Sequence, residues 1–193
     1  MINLLLDGVP DHIIICDQAY DIKTDFREWI QFENIMIKEK NDYIKLKKIV
    51  SLFIDEIPED IAFVEKILWF YRCGSNMKDS NMKSTSMSSR VYDFEYDQYL
   101  IYTAFRQYYG IDLMKENMHW WIFKQMFIEL PEESKMKKVM SYRAIKLNSN
   151  MTKEQRQFYA EMKHLYALPD NRTNSEKAKC FGAILANGMH IKE

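Results

Sequence analysis

Apolar side chains recur along this chain with two spacings, and the change from one to the other divides it. In residues 1–23 short apolar runs alternate with turn residues: 4–6, 13–15 and 20–22 read as extended, with Asp17 and Gln18 as the tight turn of a small hairpin. From Thr24 the spacing becomes helical. Phe26, Trp29, Ile30, Met36 and Ile37 share one face of a helix that Thr24 or Asp25 caps and that ends near Lys40. A second helix opens at Asp42 and carries Leu46, Ile49, Val50, Phe53 and Ile57 as far as Pro58. A third follows Glu59 and Asp60, runs through Ile61, Val64, Ile67, Leu68 and Tyr71, and stops at Cys73 and Gly74.

The most apolar continuous part is 92–130, and the remainder is expected to pack around it. Within 93–109, Phe94, Leu100, Ile101, Tyr102, Phe105, Tyr108 and Tyr109 cover more than half of a helix surface, which predicts burial on several sides. Gly110 is a natural left-handed stop. Residues 118–130 repeat the pattern with Trp120, Trp121, Phe123, Met126, Phe127 and Leu130 before Pro131. Adjacent tryptophans on a helix point about 100° apart. Trp120 and Trp121 are therefore either both covered by this chain, or one of them is an exposed anchor for a partner.

Beyond Pro131 a helix through Met136, Val139, Met140 and Tyr142 is followed by Thr152 to Gln155, a capping box that opens a helix with Phe158, Tyr159, Met162, Leu165 and Tyr166. Residues 75–90 hold six serines and three methionines with no branched aliphatic or aromatic side chain, and are expected to form a flexible loop, with a Met-rich docking segment as the other reading. In the polar tail, 171–193, only 178–185 has a helical pattern. The expected architecture is thus mainly α: one compact helical domain over 1–193, with a hairpin (1–23), N-terminal helices (24–74), a Ser/Met-rich loop (75–90), an aromatic helical core (91–170) and a loosely packed tail.

Composition changes this picture in two places. A 47% hydrophobic share in 193 residues supports a substantial core. The net charge of −1 argues against nucleic acid, which demands concentrated positive charge. The balance conceals a gradient, because residues 1–74 carry −5 and residues 131–193 carry +5. Such ends are either a pair of differently solvated faces or suited to head-to-tail contact between copies, as a ring or a spiral. The apolar run at 2–6 lacks a basic leader, and no run approaches a membrane span, so neither a signal peptide nor a membrane anchor is expected.

Chemistry is sparse. Cys16, Cys73 and Cys180 are far apart, and the four histidines, His12, His119, His164 and His190, sit in separate segments without ligand spacing. The sequence contains no nucleophile elbow, zinc-binding helix or phosphate loop, and five glycines leave little to build one from. No catalytic residue, cofactor or metal site is expected. The alternation Tyr92, Asp93, Phe94, Glu95, Tyr96, Asp97 reads as a helix cap with core anchors, or as a partner-binding edge. A polar pocket around Asp93, Glu95, His119 and Arg143 is the place an enzyme would be sought.

These landmarks resemble the bacteriophage gene-product-fifteen family encoded in siphophages and prophages of Gram-positive bacteria. The resemblance rests on TDFREWIQFE at 24–33, WFYRCG at 69–74, YDFEYDQYLIYTAFRQYYGIDL at 92–113, HWWIFKQMF at 119–127, and YRAIKL with MTKEQRQFYAEMKHLYALPD at 142–170. It implies a gene just upstream of the tape-measure gene, the place of a tail assembly chaperone that self-associates and coats the tape-measure protein. It further implies action in the host bacterial cytoplasm and absence from the mature virion. A structural tail or connector component retained in the virion is the alternative. Partner-binding candidates are Trp120, Trp121, Tyr108, Tyr109, Phe94 and Tyr96.

Overall fold

The computed structural model describes residues 4–75 and 90–169; the expectations for the Ser/Met-rich loop and for the tail lie outside these residues. The described part is mainly helical, with a short antiparallel hairpin at its start. Strands β1 (His12–Ile15) and β2 (Gln18–Asp21) pair in the register His12 with Asp21 and Ile13 with Tyr20. Cys16 and Asp17, at φ 47° and 63°, make the two-residue turn. That is one residue earlier than expected, because a primed turn whose twist matches the strands needs both central residues left-handed. Residues 4–7 form a turn, not the expected strand, since Gly8 at φ 75° redirects the chain ahead of Pro10, which has no N–H to give a ladder.

Helix α1 (Phe26–Lys38) starts where Asp25 accepts from the Arg27 N–H. It buries Phe26, Trp29, Phe32 and Glu33, while Ile37, expected on the inner face, is exposed. Helix α2 (Asp42–Val50), capped by Asn41, ends well short of Pro58. The chain leaves the helix at Ser51 and joins the hairpin: Lys23 N–H donates to the Leu52 carbonyl at 2.8 Å and Ile54 N–H to that of Asp21 at 3.1 Å. Phe53 then packs edge-on against Tyr20 and Phe63, whereas Leu46 and Ile57 face outward. Long-range pairing has overridden a helical spacing that a single sequence shows equally well. Helix α3 (Phe63–Tyr71) follows a turn whose Asp60 accepts from the Ala62 N–H, and it stops at left-handed Cys73 and Gly74. A Cβ on Gly74 would meet the Trp121 ring at 2.9 Å.

The expected helix over 93–109 resolves into three pieces. A turn over 94–97 leads into α4 (Gln98–Ala104), which widens into a π-helical segment, Phe105–Tyr109, closed by Gly110 at φ 73°. Helix α5 (Trp120–Ile128) is the centre of the molecule. Phe123 stacks on Phe26 at 4.6 Å and on Phe105 at 5.1 Å, and Phe94, Phe127 and Trp120 surround it. Helix α6 (Lys135–Ala144), capped by Ser134, packs on α4, and α7 (Lys153–Leu165) packs on α6. The Thr152 and Gln155 side chains form the expected reciprocal capping box.

Candidate functional site

The starts of α1 and α5 are tied together. Phe26 N–H donates to the Met118 carbonyl and Trp120 N–H to that of Thr24, so the two capping residues, Asp25 and His119, lie side by side. His119 is an unusual cap: its Nδ1 accepts from the Trp121 N–H at 3.0 Å, which places the ring hydrogen on Nε2 facing the Pro10 carbonyl, also at 3.0 Å. Only the neutral ring can serve in this way. Burial holds its pKa below the ordinary histidine value, against the opposing pull of Pro10 and Asp11.

Both tryptophans are inside. The end of α3 supplies two acceptor carbonyls, and the Trp120 and Trp121 indole N–H groups donate to those of Tyr71 and Phe70 at 2.9 and 2.8 Å, the latter shared with the Cys73 N–H. Neighbours pointing apart on α5 are thus satisfied by neighbouring carbonyls on α3. Of the residues named from sequence as partner contacts, Trp120, Trp121 and Phe94 lie in the core, at 0, 2 and 5% exposure. Tyr108 and Tyr109 are half-buried, with the Tyr109 hydroxyl on the Met126 carbonyl, and Tyr96 is exposed.

Two buried polar assemblies were not foreseen. In the first, Lys124 Nζ lies 4.9–5.7 Å from the centres of the Tyr92, Trp120, Phe94 and Tyr71 rings and donates to the Tyr92 hydroxyl at 2.7 Å. Glu33, 3.6 Å away, accepts from the Tyr71 hydroxyl and balances the ammonium. Burial lowers the Lys124 pKa; burial and Glu33 raise those of Tyr71 and Tyr92; burial pushes the Cys73 thiol up to about 11. A thiol and two phenols held in their neutral forms are poor nucleophiles, so the cluster acts as cement.

In the second, Arg143 and Asp97 form a buried two-pronged pair at 2.6 and 2.8 Å. The guanidinium also donates to the carbonyls of Tyr166 and Val91, and Asp97 accepts from the Asp93 N–H. Asp93 in turn caps the 94–97 turn through the Glu95 and Tyr96 N–H groups and pairs with Arg90 and Lys38. Arg143 and His119 are therefore committed to different assemblies, and no hydrogen bond among the described residues joins them. Among those residues every buried side-chain polar atom has a partner.

The outside offers shallow clefts. One of about 520 Å³ lies between the hairpin and 56–60, lined by Cys16, Tyr20, Glu56, Ile57, Glu59 and Asp60. Another, about 780 Å³, lies between the start of α1 and 114–119, with Arg27, Glu28, Met114 and His119 on its walls. Among the described residues no acidic, cysteine and histidine side chains cluster as metal ligands, and no helix is long and apolar enough to cross a membrane. Apolar side chains stand out instead: Tyr96 and Tyr99, at 53 and 78% exposure, continue to half-buried Tyr102 in a row at three-residue spacing.

The family model described as Bacteriophage Gp15 protein matches residues 5–168, and the chain belongs to that family. It is thereby a bacteriophage structural or assembly protein. No curated protein and no solved structure was found to match it.

Proposed function

We propose that this protein is a non-enzymatic tail assembly chaperone that binds the phage tape-measure protein while the tail is built. The observation that supports this most is the row Tyr96, Tyr99 and Tyr102 on the outside of α4 and the turn before it, beside a core whose polar side chains, among the described residues, are satisfied internally. Tyrosine gives a large contact area at small conformational cost, and a row at helical spacing suits the apolar face of a long helix laid across it. A tape measure offers such faces repeatedly. Of the sequence candidates, Tyr96 has the most surface to give, with Tyr108 and Tyr109 further along the same stretch.

Co-expression with the cognate tape measure is expected to keep that protein soluble and to yield a complex. Tyr96→Ser with Tyr99→Ser, both at exposed positions, should leave the fold intact by circular dichroism and reduce the recovered tape measure at least several-fold. A tape measure that stays insoluble with the wild-type protein would sink the reading. The chaperone acts in the host cytoplasm and leaves before maturation, so mass spectrometry of purified particles should find it absent; stoichiometric amounts would identify a retained tail or connector component.

A further inference from the structure

The small sheet has an outward face that nothing in the described chain covers. Side chains alternate across strands, so with Ile13, Ile15, Ile22 and Phe53 inside, Ile14 and Ile54 point out together. Ile57 and Ile61, the latter 71% exposed, follow in the chain, with Ile57 on the wall of the hairpin cleft that Gln18 and Tyr20 line from the sheet's other face, so that exposed isoleucines ring this edge of the molecule. Around it stand Asp17, Asp21, Asp55, Glu56, Glu59 and Asp60, and among the described residues none of these six lies within ion-pair distance of a lysine or arginine. The local field shows in Cys16, whose thiol Asp60 and Asp17 hold above its ordinary pKa. A surface both apolar and uniformly negative fits a partner that is apolar and positive.

The same chain carries one. Residues 131–169 hold eight lysines and arginines against four glutamates. On the outside of α6 and just beyond it, Lys135, Lys138 and Lys146 are exposed, with no acid in ion-pair reach among the described residues. Leu147, Phe158 and Leu165 are exposed nearby, and α7 buries none of its thirteen residues although Met162 and Leu165 lie along one side. The two surfaces are separate: among the described residues no hydrogen bond or ion pair joins 4–62 to 131–169, and α4 and α5 lie between.

We infer that copies of this chain join front to back, the acidic, isoleucine-bearing edge formed by the hairpin and residues 54–61 on one copy docking on the lysine-bearing outer side of α6 and α7 on the next. Because front and back are different patches, each contact leaves one of each free, and the assembly grows until it closes or continues as a filament. The apolar groups supply affinity, and the charges set direction.

The test uses the purified full-length protein alone, so that its outcome is independent of tape-measure binding. Light scattering after gel filtration should show assemblies at low salt that weaken from about 50 to about 500 mM salt, as exposed charges are screened. Glu56→Lys with Glu59→Lys takes the six acids of the front from −6 to −2 and spares Asp60, which accepts from the Ala62 N–H in the turn before α3; Lys135→Glu with Lys138→Glu takes the three lysines of the back from +3 to −1. Each variant, folded by circular dichroism, should self-associate at least tenfold more weakly. Their equimolar mixture should form a two-chain species and nothing larger, through the one intact front and the one intact back. A wild type that stays monomeric at low salt, a variant that assembles like the wild type, or a mixture that does not recombine would each overturn the inference.

Discussion

At the scale of single residues, the outward and inward positions of aromatic side chains were partly legible in sequence, and the polar groups that lock them were not. Periodicity identifies Phe26, Phe105, Phe123 and Phe127 as core because burying apolar surface depends on facing direction alone. It says nothing about Arg143 meeting Asp97, 46 positions away, or Lys124 meeting Glu33, since such pairs are set by how elements cross. The available signal was the mere presence of a charge inside an aromatic helix, as with Lys124 between Phe123 and Phe127. Arg143 joins α6 to the start of α4 and to the end of α7, and Asp97 has no other cation partner among the described residues. Arg143→Met should therefore cost about 3–5 kcal/mol, because removing one member of a buried pair strands the other. Urea denaturation followed by fluorescence measures this. Adding Asp97→Leu should recover part of the loss, and a single variant within about 1 kcal/mol of wild type would show that Asp97 finds water instead.

At the scale of elements, starts were easier to read than ends or internal irregularities. Asp25 and Thr152 announce their helices through side chains that reach the first backbone N–H groups, a local interaction that a sequence displays, whereas α2, expected to open with Asp42 as its cap, is capped one residue earlier by Asn41. The end of α2 depends on the hairpin edge, and the π-helical widening at Phe105 was hidden because aromatics nearly encircle that segment, so that no period stands out. The widening puts Tyr109 where its hydroxyl reaches the Met126 carbonyl, coupling the segment to α5. Helix α7 is the opposite case: its start is plain in sequence, but with none of its residues buried its local stability rests heavily on that cap and on the Lys163 and Arg143 bonds to backbone carbonyls. Thr152→Ala should cost about 1 kcal/mol. Hydrogen exchange is expected to locate that cost in α7, with amides of 156–165 exchanging roughly fivefold faster and those of α5 unchanged, since exposed elements open separately from the core. Equal acceleration in α5 would mean that α7 unfolds only with the whole molecule.

At the scale of the whole molecule, mainly helical architecture and an aromatic centre followed from the sequence, while the join that closes the N-terminal part onto that centre did not. That join is the pairing of the α1 and α5 starts, with neutral His119 bonded both to Trp121 within α5 and to Pro10 ahead of the hairpin. Its titration should consequently be felt globally. Burial depresses the folded pKa of His119 below the unfolded value of about 6.5, so between the two values the unfolded chain binds more protons and stability rises with pH. The His119 contribution is complete above about pH 6.5 and is lost as pH falls through the folded pKa. A protonated ring cannot accept from the Trp121 N–H, and the start of α5 loses its cap. At the alkaline end, Tyr71 and Tyr92 have folded pKa values raised by burial, so their contribution falls away as pH climbs past the ordinary phenol value of about 10. Lys124, depressed by burial, adds an opposing slope there. Urea midpoints across the pH range should thus fall on both flanks. In His119→Asn, where an uncharged side chain caps α5 at every pH, the decline just below pH 6.5 should flatten while the alkaline flank stays as it was. An acid flank identical in the two proteins would assign the loss to carboxylates and not to the histidine cap.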